Sequence, residues 1–157
     1  MDGNSFSISD VEAFAARFYE GKKLLLIPYG YNITFAALAQ GASASGVINI
    51  AANADFIMLG THHRAQIGAA QNVGNKTAPF VRILMVDSGS NEQFTAQAVD
   101  LENYSTNGGY KNPLSYPRII AGRTTVQVTV TNYAPTAETY TTLDIFLEGV
   151  SVRALQL

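Results

Sequence analysis

Two stretches near the end of the chain alternate between hydrophobic and polar positions. Residues 123–132 place three valines on one face and threonine and glutamine side chains on the other, and residues 139–149 repeat the pattern with leucine and isoleucine. A period of two predicts β-strands with one buried side. The intervening residues 132–137 include Pro135 and Asn132, which suit a turn. We therefore expect the chain to close with two long strands paired as a hairpin.

Shorter apolar runs, separated by glycine, proline, asparagine and aspartate, precede this pair. The candidate strands are residues 24–28, 31–36, 47–50, 54–61, 80–86 and 92–99, with long loops predicted over 64–78 and 100–116. Neither a βαβ alternation nor an internal repeat is present. About eight or nine short strands with turn signals between them predict an all-β fold, either an antiparallel sandwich or a barrel.

One short helix is predicted near the start of the chain. Ser9 and Glu12 have the spacing of a capping box, and Gly21 suits a left-handed helix end. The apolar residues between them recur at helical spacing: Val11, Phe14, Ala15 and Phe18. A helix of about ten residues is too short to be stable alone, so its apolar face must pack on the sandwich or on a partner. We divide the chain into an N-terminal arm with this helix, residues 1–30, and a β-sandwich, residues 31–157, which form a single folding unit.

The composition limits the classes of function that fit this chain. The 157 residues fit one domain, and cysteine is absent. The net charge of −2 gives no indication of the basic surface that nucleic-acid binding requires. Only 14% of the residues are charged, against about 25% in an ordinary soluble domain. Such a surface fits burial by neighbouring subunits, and it equally fits a threonine-rich face exposed to solvent. No segment has the pattern of a signal peptide or the length of a membrane span.

Residues that could support catalysis are sparse. His62 and His63 are adjacent at the end of a predicted strand, where we expect them to face solvent on opposite sides, so the pair cannot converge on one metal ion. A metal site shared between subunits is the alternative. Asp87 and Glu92 could approach across a hairpin in a glycosidase-like arrangement, but aspartate is common in turns. No acid, base and nucleophile converge. We expect neither an enzyme nor a bound cofactor or metal.

Tyrosines form the one cluster with a functional character. Tyr104, Tyr110 and Tyr116 lie in the predicted loop over residues 100–116. Exposed tyrosines are enriched in protein interfaces because a flat apolar ring with a hydroxyl binds at low entropic cost, and the same property suits sugars. Alternatively, these tyrosines cover the ends of the sandwich and have no binding role.

The order of motifs along the chain adds a resemblance. The motifs are residues 54–56, 79–83, 87–89, 116–118, 125–132 and 142–150. In this order they resemble small virion proteins of tailed bacteriophages, which are jelly-roll-like β-sandwiches that act as cement or decoration proteins on the capsid. The resemblance covers about residues 50–152 and rests on strands and turns rather than on a catalytic motif.

This resemblance implies a structural protein on the exterior of a phage capsid, in a virion assembled in the host cytoplasm. Its partner would be the major capsid protein, it would form a homo-oligomer, with a trimer favoured, and it would bind no nucleic acid or membrane. From the residues themselves, the candidate contact surface is Phe6, Ile8, Phe14, Phe18, Tyr104, Tyr110 and Tyr116. The alternative is a carbohydrate- or receptor-binding domain of a phage head fibre or tail.

Overall fold

The computed structural model describes residues 6–67, 78–105 and 113–155. Two helices lie in these ranges, α1 (Ile8–Phe18) and the single turn α2 (Leu101–Tyr104). The nine strands are β1 (Leu24–Leu38), β2 (Ser43–Asn49), β3 (Asp55–Ile67), β4 (Val81–Asp87), β5 (Glu92–Gln93), β6 (Val99–Asp100), β7 (Pro113–Ile120), β8 (Thr125–Asn132) and β9 (Tyr140–Ala154).

The strands form two antiparallel sheets. Sheet I has the order β1-β9-β3-β7, and sheet II has the order β2-β8-β4-β5, with β6 also paired to β4. The first strand therefore pairs with the last, the second with the eighth and the third with the seventh. A long hairpin rolled into two facing sheets has this pairing, which is the jelly-roll topology. The predicted all-β, jelly-roll-like sandwich of about eight or nine strands is confirmed, with nine strands in the described residues.

The core lies between the two sheets and follows the period-two pattern of the sequence. Val126, Val128 and Val130 of β8 are fully buried, and so are Leu143 and Ile145 of β9 in the facing sheet. Successive strand residues point to opposite faces, so a strict alternation buries every second residue of both strands. The same cluster also contains Leu38, Ile48, Phe56, Met58, Val81, Ile83, Leu101, Ile120, Tyr140 and Leu147.

The helix α1 is capped two residues earlier than the sequence predicts. Ser7, not Ser9, is the N-cap, because its hydroxyl accepts a hydrogen bond from the Asp10 N–H at 3.1 Å while the Asp10 carboxylate accepts from the Ser7 N–H at 3.0 Å. These bonds lower the pKa of Asp10. The same serine-to-acid spacing occurs at Ser9 and Glu12, but it lies inside the first turns of the helix. The left-handed end begins at Glu20, with φ of 52°, and includes the predicted Gly21.

Helix α1 packs on the outer face of sheet I, away from the main core. Phe14 and Ala15 are buried there against Ile57 and Val152, with Ile119 at the border. The helix therefore covers one end of sheet I and forms a second, smaller hydrophobic core. Phe14 and Ala15 of the apolar face are thus packed, as a short helix requires, while Phe18 of the same face stays exposed.

Two edge strands contain prolines at which the sequence predicts the end of a strand or a loop. The region of Pro28 belongs to one continuous strand, β1. Strand β7 carries Pro113, inside the predicted loop over residues 100–116, and Pro117, directly after that loop. Proline is tolerated at a sheet edge because the missing N–H can face away from the neighbouring strand. Both strands are edges of sheet I. The boundary drawn at residues 30 and 31 falls inside β1.

The predicted closing hairpin is wrong. β8 lies in sheet II and β9 in sheet I, so residues 133–139 cross between the sheets instead of forming a tight turn within one. The amide of the buried Asn132 fixes this crossing. It donates to the Leu38 carbonyl at 3.1 Å and the Glu138 carbonyl at 2.9 Å, and its oxygen accepts from the Ala134 N–H at 3.0 Å. Alternating patterns predict both strands equally well whether or not they pair with each other.

Candidate functional site

A groove of about 650 Å³ runs along one edge of the sandwich. One side is formed by the end of β7 together with Phe14 and Phe18 of α1, and the other by the turn between β4 and β5. The residues that line it are Phe14, Phe18, Asp87, Gly89, Ser90, Glu92, Tyr116, Pro117, Arg118, Ile119, Ala121 and Thr124. We call it the aromatic groove.

Three aromatic side chains form the apolar wall of the aromatic groove. The rings of Phe14 and Tyr116 meet edge to face with centroids 5.3 Å apart, and the rings of Phe14 and Phe18 stack at 6.4 Å. Phe14 is buried, while Phe18 is 56% and Tyr116 66% exposed. A buried ring thus holds two exposed rings in place, which presents a pre-ordered apolar surface to a ligand or partner.

The opposite wall is polar, and its charges have partners. The Asp87 carboxylate accepts a hydrogen bond from the Gly89 N–H at 2.9 Å within the β4–β5 turn. Glu92 pairs with Arg118 at 3.4 Å, and the Arg118 guanidinium lies 4.4 Å from the centroid of the Phe94 ring. Asp87 and Glu92 are opposite each other in the β4–β5 pair, as the hairpin interpretation predicts. Both carboxylates therefore have structural contacts of their own.

The structure brings together part of the predicted contact surface. Phe14 and Phe18 share the aromatic groove with Tyr116, which lies about a hundred residues later in the sequence. Phe6 is half-buried before α1, and Ile8, in the first turn of the helix, is 79% exposed. Tyr110 lies outside the described residues. No sequence pattern indicates the β4–β5 turn as the second wall, because only the fold places it beside β7.

Tyr104 occupies a different environment from Tyr116. It is half-buried and packs against the main core at the end of α2, where its carbonyl accepts a hydrogen bond from the buried Thr61 hydroxyl at 2.9 Å. Burial raises the pKa of Tyr104 to about 12. It is therefore placed as a packing residue, and it is not among the residues that line the aromatic groove.

The two adjacent histidines face opposite sides of β3, as predicted. His62 bonds Glu148 at 2.7 Å on the outer face of sheet I, beside the Phe146 ring. His63 points inward and is 3% exposed, with Nε2 2.6 Å from Glu102 of α2. The expected solvent-facing strand end is wrong for His63, because β3 continues to residue 67 and its inner face is covered.

We expect the buried His63 to make the protein less stable in mild acid. Burial lowers the pKa of His63 below its ordinary value of 6.5, although the Glu102 carboxylate opposes the shift. As the pH falls below about 6.5 the unfolded chain binds the proton first, so the free energy of unfolding decreases, by at most about 1.4 kcal/mol per pH unit. Urea unfolding between neutral pH and mild acid measures this slope. His63→Gln, which still offers an amide donor to Glu102, should flatten it, and an unchanged slope in this variant would contradict the assignment.

The double-sheet topology defines the class of the protein: a jelly-roll β-sandwich with an open surface groove. Among the described residues, no three histidine or acidic side chains come together as metal ligands, and no helix is long and apolar enough to cross a membrane. No protein-family model matches the chain, and no curated protein matches its sequence significantly.

Proposed function

We propose that this chain is a structural virion protein that binds and stabilises the capsid shell of a tailed bacteriophage as a cement or decoration protein. The main support for this proposal is the arrangement of side chains in the aromatic groove. Two exposed aromatic rings, Phe18 and Tyr116, stand on a buried third, and large aromatic side chains of this kind dominate the energetics of protein interfaces.

The fold supports the proposal only by analogy. Jelly rolls occur in viral capsid domains and in lectins, so the topology fits both the capsid and the sugar-binding alternatives. The low charged fraction of 14% favours an interface, since charged side chains are depleted where a protein surface becomes fully buried.

The mechanism would be the addition of many modest contacts. Each copy would insert the exposed rings of α1 and β7 between neighbouring shell subunits, with the jelly roll as a rigid support. An interface of standard size buries about 1,600 Å², and repetition around a shell multiplies its effect because detachment of the shell subunits then requires many contacts to break. A homo-oligomer, with a trimer favoured, would raise the avidity further.

The proposal is tested by the number of copies on purified particles of the phage that encodes this chain. Quantitative mass spectrometry against the major capsid protein should give a ratio near one, or a simple fraction of it. A few copies per particle would place the protein at a vertex, neck or fibre, and absence from particles would exclude a virion role.

Truncation of the exposed rings should weaken binding to particles that lack this chain. Each of Phe18→Ser and Tyr116→Ser should cost about 2 kcal/mol, which is roughly 30-fold in affinity, because exposed aromatic anchors become fully buried at interfaces. Co-sedimentation with particles measures the loss. Val47→Ser is the matched control, since Val47 is 56% exposed like Phe18 but lies on β2, outside the aromatic groove. Equal loss in the control and in the groove variants would reject the groove as the contact surface.

One observation favours the second candidate, a carbohydrate- or receptor-binding domain of a head fibre or tail. The aromatic groove combines the exposed ring of Tyr116 and the Arg118 guanidinium with carboxylates on the opposite wall, which is a common composition of small-ligand sites. A glycan array separates the two candidates. Specific binding that Tyr116→Ala abolishes would favour the sugar site, and an array without signal would count against it.

A further inference from the structure

A second groove, with a volume of about 450 Å³, opens at the end of the sandwich beside the C-terminal end of α1. Three separate parts of the chain contribute its cations: Lys22 from the turn before β1, Arg123 from the β7–β8 turn and Arg153 from the end of β9. We propose that this basic groove binds a carboxylate-rich segment of a partner protein. The identity of that partner as a capsid subunit rests on the proposed function, whereas the chemistry of the groove does not.

The basic groove is positively charged, although the chain as a whole has a negative net charge. The chain has a net charge of −2, yet the lining of this groove holds three cations and one acid, Asp55. The three cations are exposed, and none of them has a carboxylate within ion-pair distance among the described residues. Their positive charge is therefore available to a ligand.

Asp55 has contacts that explain its presence in a basic groove. The Tyr19 hydroxyl donates to one carboxylate oxygen at 2.7 Å, and the Gly122 N–H donates to the other at 2.8 Å. Both donors are uncharged, so this carboxylate ties α1 to the β7–β8 turn instead of pairing with the surrounding cations. Gly122 itself has no room for a side chain, because an added Cβ would lie 2.7 Å from the Ala54 carbonyl oxygen.

Arg123 is held in a defined position. Its backbone has a φ of 66°, in the left-handed region that few non-glycine residues adopt, and its N–H donates to the Ala51 carbonyl at 3.2 Å. Its side-chain Nε donates to the Ala52 carbonyl, also at 3.2 Å. The side chain is thus oriented through Nε, which leaves the terminal nitrogens of the guanidinium fork to bind a carboxylate.

Carboxylates of a protein fit this site better than the phosphates of a nucleic acid. Single-stranded nucleic acids bind grooves that combine cations with stacking aromatic rings. The one aromatic residue of this lining, Tyr19, is half-buried, and its ring already packs edge to face on Phe18 with centroids 5.0 Å apart. Three cations around a volume of 450 Å³ match a few acidic side chains.

The position of the basic groove relates it to the aromatic groove. Phe14 and Phe18 of α1 line the aromatic groove, and Tyr19 and Lys22, which directly follow α1, line the basic one. The C-terminal half of α1 and the turn after it therefore connect the two grooves. A single partner surface with an apolar centre and an acidic border could cover the two grooves together. Charges at the border of an interface mainly steer association and fix its orientation.

The test measures the anisotropy of a fluorescent oligoglutamate peptide at low ionic strength. The double variant Lys22→Gln with Arg153→Gln removes two cations but leaves the bonds of Arg123, so the groove should stay intact. We expect affinity roughly tenfold lower, since two exposed charge contacts to the peptide are lost. Arg17→Gln with Arg64→Gln is the control, because it changes the net charge equally outside the groove, and it should bind like the unaltered protein.

Three results of the binding measurements would contradict the proposed role of the basic groove. Failure of the unaltered protein to bind oligoglutamate, equal affinity in the double variant, or tighter binding of a single-stranded oligonucleotide of similar length would overturn the inference. Co-sedimentation with phage particles separates the two proposals. If the peptide result holds but the protein does not bind particles, the capsid proposal fails and the groove assignment stands. If the protein binds particles and the double variant binds both particles and peptide normally, the groove assignment fails and the capsid proposal stands.

Discussion

Gly149→Ala should destabilise the fold by about 3 kcal/mol or more, although it adds a single methyl group. Gly149 lies in β9, which sits between β1 and β3 at the centre of sheet I. An added Cβ would come closer than 3.0 Å to the Ile57 carbonyl oxygen and to the ring of the fully buried Phe56. The carbonyl belongs to the neighbouring strand, so no change of side-chain rotamer relieves the clash, and overpacking of this kind lies at the severe end of its usual range of about 1–3 kcal/mol.

Gly30→Ala is the matched control for this substitution. Its added Cβ would also lie closer than 3.0 Å to a neighbour, but that neighbour is the far end of the Phe146 side chain, which is 38% exposed on the outer face of sheet I. The Phe146 ring can swing away, so we expect a loss under about 1 kcal/mol. Urea unfolding of both variants measures the difference. Similar losses would show that the backbone at Gly149 yields more readily than the structure indicates.

Asn132→Asp should lower the free energy of unfolding by about 3–5 kcal/mol despite its almost unchanged shape. The Asn132 side chain is fully buried, and its amide nitrogen donates to two carbonyls, those of Leu38 and Glu138. The substitution replaces that donor with a carboxylate oxygen facing the same carbonyls. Two acceptors lose their hydrogen bonds and a charge is buried, each of which costs about 1–3 kcal/mol or more.

Denaturant unfolding at neutral pH, repeated in mild acid, tests this prediction. Acid should narrow the deficit of Asn132→Asp, because a protonated carboxyl regains one donor. Asn49→Asp is the control, since Asn49 is exposed at the end of β2, opposite Thr125, and should change stability by less than about 0.5 kcal/mol. A loss in Asn132→Asp no larger than in this control would mean that the amide does not hold the crossing between the sheets.

The sequence was sufficient for the fold class but not for the connections. Alternation identified β8 and β9 because each buries every second residue, and this rule depends only on the strand itself. Which strands pair depends on the register of distant segments, so local alternation does not distinguish the crossing at residues 133–139 from a hairpin. The prolines of β1 and β7 indicate strand ends in the sequence, because the tolerance of proline depends on being at an edge of the sheet, which is a tertiary property.

For the candidate sites, too, the sequence indicates individual residues but not which of them the fold brings together. Phe14, Phe18 and Tyr116 could be selected from the sequence as apolar surface residues, but their meeting in one groove depends on α1 packing on the outer face of sheet I. The basic groove has no sequence signature, since Lys22, Arg123 and Arg153 lie in three unrelated turns and strand ends. Tyr104, the last residue of α2, differs from the exposed Tyr116 because it packs against the main core, which no local pattern reveals.

The place of β9 in sheet I has a consequence for how the chain folds. β9 pairs with β1 on one side, where Leu24 lies opposite Ala154, and with β3 on the other. Bringing such distant segments together requires loop closure across almost the whole chain, and folds dominated by contacts of this kind fold slowly. During synthesis, β1 and β3 remain without the strand that joins them until residues 140–154 have left the ribosome. Until then both present unpaired edges, so rapid assembly or a chaperone would protect the nascent chain from aggregation.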